Sequence, residues 1–223
     1  MNRDEWSAGT NSEIGFWKLW IETRGAQWPA DYEYRVDPNA ELQYEIAQHI
    51  EGLEGATPKV LDVGAGPMTI VGKRFRGVAI NLTAVDALAD QYDSLPFAPG
   101  LPLVRTLKCD SEALSETFGE NVFDVVYARN TLDHGYDPVR AIREMLKVAR
   151  PGGKVITAHL TNEAIAENWA GFHQWNFYVE DAKFMIANRT TTHVLADAIA
   201  SLGTIVSLSP PGDAMVNCVI EKF

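Results

Sequence analysis

Five residues with acid–base or ligand chemistry stand out by type and spacing. In "VLDVGAGPMTIVG", Asp62 follows an apolar run and precedes Gly64, Ala65 and Gly66. Two glycines one residue apart let backbone approach a ligand closely and permit positive φ. Asp86, with Ala87 after it in "LTAVDAL", lies about 20 residues further on, where an acid can accept hydrogen bonds from two ribose hydroxyls. Asp110 and Ser111 follow in "LKCDSEAL", where the acid can contact a ligand or cap a helix. A dinucleotide fingerprint needs a third glycine near position 69, to leave a helix N-terminus free for pyrophosphate. This chain has Thr69 there, so a phosphate-bearing ligand is disfavoured and a cationic one favoured.

The histidines carry the second chemistry. His134 stands in "ARNTLDHGYDP", just past a strand, with Asp133 beside it to orient it or to act itself. His173 stands in "GFHQWNF". Each is a candidate general base for an oxygen nucleophile, with a structural hydrogen bond as an equal alternative, and His134 is favoured because its strand end faces the ligand rim. "NWAGFHQWNFY" also concentrates aromatics. Trp169, Trp175 and Tyr178 are candidate walls of an acceptor pocket, with core packing as the alternative. A ring over a ligand cation contributes about 0.5 to 2 kcal/mol. Trp17, Trp20 and Trp28 are candidates to close the other side.

Strands must bring these residues together. After residue 58, "KVLDV", "VAINLTAV", "LVRTLKC", "FDVVYA", "KVITAHL", "TIVSLS" and "MVNCVIEKF" read as strands. "DPVRAIREMLKVARPGG" reads as a helix with an Asp-Pro start and a Pro-Gly-Gly stop. The alternation predicts an α/β fold with a doubly wound, mainly parallel sheet spanning 58–223. Residues 1–57 predict a helical cap, with one helix over "SEIGFWKLWIETRG" and another between Pro38 and Gly55.

Composition excludes several classes. A length of 223 residues and 46% hydrophobic content suit one substantial core. The net charge of −11 repels phosphate backbones and anionic lipids, which argues against nucleic-acid or membrane partners. Cys109 and Cys218 are isolated from each other and from any ligand spacing, so no disulfide or metal framework is expected. With no apolar run long enough to span a bilayer, the expected location is the cytoplasm.

"VLDVGAGP", "AVDAL", "KCDSEAL", "FDVVYARNTLDH" and "MLKVARPGGKVI", in this order and spacing, resemble the successive motifs of Rossmann-like, class I S-adenosylmethionine-dependent methyltransferases. The resemblance covers roughly Pro58 to Leu160. It implies S-adenosylmethionine as cofactor, with Gly64 and Gly66 around the methionine part and Asp86 on the ribose. It places Asp110, Ser111 and Glu112 beside the adenine, and Ala128, Arg129 and Asn130 near the sulfonium. Base methylases of this family carry a proline-rich motif at the fourth strand, where "ARNTLDH" stands here. The expected activity is methyl transfer to a small molecule, at an oxygen of a sugar or secondary metabolite. A second reading is cyclisation of the ligand's own aminobutyrate chain with release of methylthioadenosine, and a third is nucleoside binding without catalysis.

Overall fold

The computed structural model describes residues 3–50 and 57–223, with side-chain surroundings from residue 9 onward. The chain opens with helices α1 (Arg3–Glu22) and α2 (Pro29–Val36) and the single turn α3 (Tyr44–Ala47). Strand β1 (Lys59–Val63) follows, then the short hairpin β2 (Arg74–Phe75) and β3 (Val78–Ala79), β4 (Asn81–Asp86) and α4 (Ala89–Tyr92). Next come β5 (Thr106–Lys108), α5 (Leu114–Phe118), β6 (Phe123–Arg129), α6 (Pro138–Val148), β7 (Ala149–Leu160) and α7 (Glu163–Ala166). The chain ends with β8 (Asn176–Glu180), β9 (Lys183–Ala187), β10 (Thr192–Val194), α8 (Leu195–Ile199), β11 (Gly203–Leu208) and β12 (Met215–Lys222).

The seven expected strands form one sheet in the order β11-β12-β7-β6-β1-β4-β5. β12 alone runs against its neighbours β7 and β11, while the pairs β7–β6, β6–β1, β1–β4 and β4–β5 are parallel. Strand order reverses at β1, and the crevice beyond its carboxyl end is where open α/β sheets receive ligands. Helix α6 forms as its sequence dictates. Asp137 accepts the Arg140 N–H at 2.9 Å, and Pro138 occupies the first turn. Its face of Ala141, Ile142, Met145, Leu146 and Val148 is buried against Leu61, Val126 and Val155 of the sheet. Such a short helix is held by that burial, about 1.5–3 kcal/mol for each large apolar side chain, rather than by propensity.

Three elements depart from the sequence expectation. The helix placed between Pro38 and Gly55 shrinks to the turn α3, and its stretch 51–56 lies outside the described residues. No helix follows the glycine loop, where open α/β sheets ordinarily place one. Pro67, the run Thr69-Ile70-Val71 and Gly72 are poor helix formers, and the chain passes through bends into the β2–β3 hairpin. The N-terminal segment takes up the room. Gln43 donates to the Ile70 carbonyl at 2.6 Å and accepts from the Gly72 N–H at 3.2 Å, and Ile46 and Ile50 bury against Val60, Val71 and Tyr127. The third departure is a small antiparallel sheet, β10-β9-β8. Its β8–β9 turn uses Asp181 (φ 48°) and Ala182 (φ 57°), and an alanine at positive φ conceals a hairpin that glycine would have announced.

The glycine loop is held by a carboxylate drawn out of water. Asp62 is buried and accepts the Thr69 hydroxyl at 2.5 Å, while the Thr69 oxygen accepts the Val71 N–H at 3.0 Å. Threonine therefore closes the loop in place of a third glycine. Burial raises the Asp62 carboxyl from 3.8 to about 6, against the Thr69 hydrogen bond and the nearby Arg35 charge. A raised native value means stability present at low pH and lost as pH climbs to about 6. Asp62→Asn retains an acceptor for Thr69 and removes the charge. In urea unfolding the variant is expected to exceed the wild type by on the order of 2 kcal/mol at pH 8 and to match it near pH 4. A difference that does not change with pH would show that the buried charge is not its cause.

Candidate active site

A cavity of about 910 Å³ opens at the carboxyl rim of the sheet, over the reversal point at β1. Gly64 (φ 68°) and Gly66 (φ 63°) form its floor beside β1. A Cβ on Gly64 would lie 1.8 Å from the Thr131 hydroxyl oxygen, and one on Gly66 would lie 2.5 Å from the Trp17 ring. Both positions thus need glycine for conformation and for space. The backbone N–H groups of Gly64 and Ala65 donate to the Val85 carbonyl at 2.8 and 3.0 Å, which ties the loop to β4.

Asp86 ends β4 and faces the cavity, partly open to it. Its Oδ2 accepts the Gly66 N–H at 3.0 Å and its Oδ1 the Leu88 N–H at 2.8 Å. Burial raises its pKa, opposed by hydrogen bonds from Leu88, Tyr92 and Gly66. Ala87, Asp110 and Ser111 line the same side, with the Tyr136 hydroxyl donating to Asp110 Oδ2 at 3.4 Å. Glu112 also reaches this wall, but it accepts the backbone N–H groups of Tyr136 and Asp137, each at 3.1 Å, and the Ser111 hydroxyl at 2.8 Å. Its carboxylate fastens the β6–α6 connection.

The histidines line the same cavity. Asp133 is fully buried, and its Oδ2 lies 2.8 Å from His173 Nδ1 and 3.3 Å from His134 Nε2. Burial pushes the Asp133 carboxyl up, but the imidazoles of His134, His173 and His159 outweigh burial and hold it below the usual carboxylate range. The hydrogen bond to Asp133 raises His173. His159, buried on β7 and stacked on Phe177 at 4.4 Å, is lowered by burial to about 4 and stays neutral near pH 7. Residues 131–134 and the segment around His173 are stapled together. Gln174 N–H donates to the Asp133 carbonyl at 3.3 Å, and Trp175 Nε1 donates to the Gly135 carbonyl at 3.1 Å.

The structure thus brings Asp62, Gly64, Ala65, Gly66, Asp86, Ala87, Asp110, Ser111, Arg129, Asn130, His134 and His173 to one cavity. Asn130 adopts φ 45°, and its side-chain oxygen accepts the Leu160 N–H at 3.1 Å, so it joins the ends of β6 and β7. Asp133 is fully buried and holds the histidines without lining the cavity itself, and four further expected residues lie elsewhere. Ala128 is fully buried within β6, paired with Val63 and Thr157. Trp175 is committed to its core contact, Trp169 lies under the Arg189 guanidinium at 5.0 Å, and Tyr178 pairs with Met185 on β9. None of these three aromatics lines the cavity, because β8 starts at Asn176 and carries the segment away from the rim.

Their place is taken by Phe172 and by residues of α1 and α2. Trp17 lies on Gly66 and donates to Glu13 at 2.8 Å; Trp20 packs at 5.5 Å from it, and Trp28 completes the face. Arg35 lies over both Trp17 and Trp20, at 5.7 and 5.6 Å, with its Nε on Asp31 at 3.1 Å. Spacing within α2 gave no warning of that arginine. Its partners are set by contacts between helices.

Comparison with known proteins agrees with this architecture. Residues 61–157 match the family model described as a methyltransferase domain. The chain is 24% identical over 126 residues to chloroplastic tocopherol O-methyltransferase of Arabidopsis thaliana, covering 55% of this chain and 36% of that protein. It is 35% identical over 106 residues to a ubiquinone/menaquinone biosynthesis C-methyltransferase of Bdellovibrio bacteriovorus, covering 45% and 43%. The chain therefore spans less than half the length of these curated relatives. The crystal structure of Burkholderia thailandensis 1,6-didemethyltoxoflavin-N1-methyltransferase superposes with a TM-score of 0.51 at 18% identity, over 100% of this chain and 91% of that one, and so shares the fold. Residues 61–157 are thus similar to a methyltransferase domain, and the fold of the chain is that of the Burkholderia enzyme.

Proposed function

We propose that the protein transfers the methyl group of S-adenosylmethionine to an oxygen of a small molecule, a sugar or secondary metabolite. One observation carries this reading: a single cavity is lined both by the glycine loop with Asp86 and by two imidazoles that share a buried carboxylate. The matched relatives support a small acceptor, since their names specify tocopherol, ubiquinone or menaquinone, and didemethyltoxoflavin.

The residues present suit the cosubstrate. The bare Cα atoms of Gly64 and Gly66 leave backbone open to the cavity, and no helix N-terminus follows the loop to receive a phosphate. Glu13, Asp62, Asp86 and Asp110 give that side an acidic lining, which suits a cationic nucleoside. S-adenosylmethionine supplies an electrophilic methyl group on a sulfonium. Asp86 would hold the ribose hydroxyls, Asp110 and Ser111 the adenine edge, and Trp17 would close the loop from above.

The chain's remaining work is to align the acceptor, exclude water and take a proton. His173 suits the last task better than His134. Its Nδ1 donates to Asp133 at 2.8 Å against 3.3 Å for His134, and this leaves His173 Nε2 to accept the proton of an acceptor hydroxyl. The wall of Phe172, Trp20 and Trp28 gives the acceptor an apolar face.

Incubation with S-adenosylmethionine, with and without candidate sugars and phenols, followed by mass spectrometry, tests the reading. Acceptor-dependent S-adenosylhomocysteine supports it, whereas methylthioadenosine formed without acceptor would replace it with ligand cyclisation. Asp86→Ala is expected to weaken S-adenosylhomocysteine binding by about 1.5 to 3 kcal/mol in calorimetry, the contribution of hydrogen bonds to a charged group. Unchanged affinity removes Asp86 from the ribose site. His173→Ala should lower turnover by about 10²- to 10⁴-fold with S-adenosylhomocysteine affinity preserved. Because Asp133 raises His173, the wild-type rate should climb with pH along a limb above the ordinary histidine value, and Asp133→Asn should move that limb to lower pH. A limb unmoved by Asp133→Asn assigns the proton to another group.

A further inference from the structure

Asp133, His134 and His173 do more than share a hydrogen bond. One donor atom from each lies within 4.8 Å of the others, and two of the three separations, 2.8 and 3.3 Å, are already in the range of neighbouring ligands on one ion. Ligand bonds of about 2.0–2.2 Å in tetrahedral array put donor atoms about 3.3 Å apart. The second oxygen of Asp133, Oδ1, is buried without a hydrogen-bond partner, although a buried ionised carboxylate ordinarily has its lone pairs satisfied. Glu163 Oε1 lies 3.9 Å from His173 Nδ1 and lines the same cavity, within reach as a further oxygen ligand.

We infer that Asp133, His134 and His173 form a binding site for a divalent transition-metal ion, with its open position facing the cavity. Two imidazoles and a carboxylate suit Zn²⁺, Fe²⁺, Mn²⁺ or Co²⁺, whereas Mg²⁺ prefers an all-oxygen shell. Three protein ligands with a free position are the arrangement of a catalytic rather than a structural metal site. The support around the ligands is already built. The Gln174 N–H on the Asp133 carbonyl and the Trp175 indole on the Gly135 carbonyl clamp the two ligand-bearing segments to each other. Phe172, 5.6 Å from the His134 ring, fixes that imidazole from the side. Such outer contacts set ligand orientation and contribute to affinity. No cysteine takes part, and the three residues come from two distant segments, which is why ligand spacing in the sequence announced nothing.

An ion here would face the cavity through His134 and His173, where an acceptor bound beside the nucleoside could reach it. It would hold an acceptor oxygen as its conjugate base by charge, the hydroxyl proton passing to solvent, in place of proton uptake by His173. That role rests on the methyl-transfer reading, whereas occupancy of the site does not.

The experiment separates the two. Chelator-treated, dialysed protein is titrated with ZnCl₂, and in parallel with MnCl₂, by calorimetry, with bound metal counted by elemental mass spectrometry. The expected result is about one ion per chain, with affinity at least about tenfold weaker in His134→Ala and in His173→Ala. His193→Ala, a histidine outside the cluster, serves as the control and should bind as the wild type does. Circular dichroism and S-adenosylhomocysteine binding by the metal-free variants establish that they fold. Absence of stoichiometric binding by the wild type overturns the proposal and leaves the cluster as a proton-sharing network. Binding that survives both cluster variants overturns it as well, by placing the ion elsewhere. Metal binding without nucleoside binding would keep the metal site and discard the cosubstrate reading.

Discussion

Carboxylates drawn out of water at the carboxyl rim of the sheet hold the cavity in shape. Asp62 grips Thr69 and closes the glycine loop. Asp86 joins that loop to the segment after β4. Glu112 fastens the connection leading into α6, and Asp133 gathers two imidazoles from separate segments. An ion removed from water is costly unless its oxygens are taken up by donors, so each acid dictates where the neighbouring backbone and side chains must stand. Removing the oxygens of one of these acids would leave several donors unpaired at once.

The same acids explain the tension between stability and function. Asp62, raised to about 6, remains largely ionised near pH 7 at a cost to the native state. Asp86 is likewise raised by burial. Proteins tolerate such strain where a site needs charge, and an acidic wall suits a cationic ligand better than a neutral, more stable one would. At Asp133 the sign reverses. Asp133 is held below its usual range by its histidines, so it keeps a firm negative charge under two groups able to bind a proton or a metal.

The N-terminal segment is part of this arrangement. Trp17 rests on Gly66, so the wall of the cavity over the glycine loop comes from α1 and not from the sheet. The stretch from Ala40 to Ile50 fills the side of the sheet left bare where no helix follows the loop, through Gln43, Ile46 and Ile50. Sheet and N-terminus complete each other there: Val60, Val71 and Tyr127 are covered by residues that come before β1.

By itself the sequence determined the strands, the glycine loop, the acids at strand ends and helix α6, because each is written in local terms: apolar periodicity, a capping pair, positive φ at glycine. Those terms suffice to place Gly64, Gly66, Asp86 and Asp110 on one rim. Only the tertiary structure decided the rest. Thr69 serves where a third glycine was missed because Asp62 reaches it across the loop. Trp169, Trp175 and Tyr178 leave the cavity while Phe172 and His173, one turn away, stay, because β8 begins at Asn176 and draws the chain off. The pairing of His173 with Asp133, 40 positions apart, and the stacking of Arg35 on Trp17 and Trp20 are products of packing between elements. Periodicity describes one element at a time, and a contact between elements has no period.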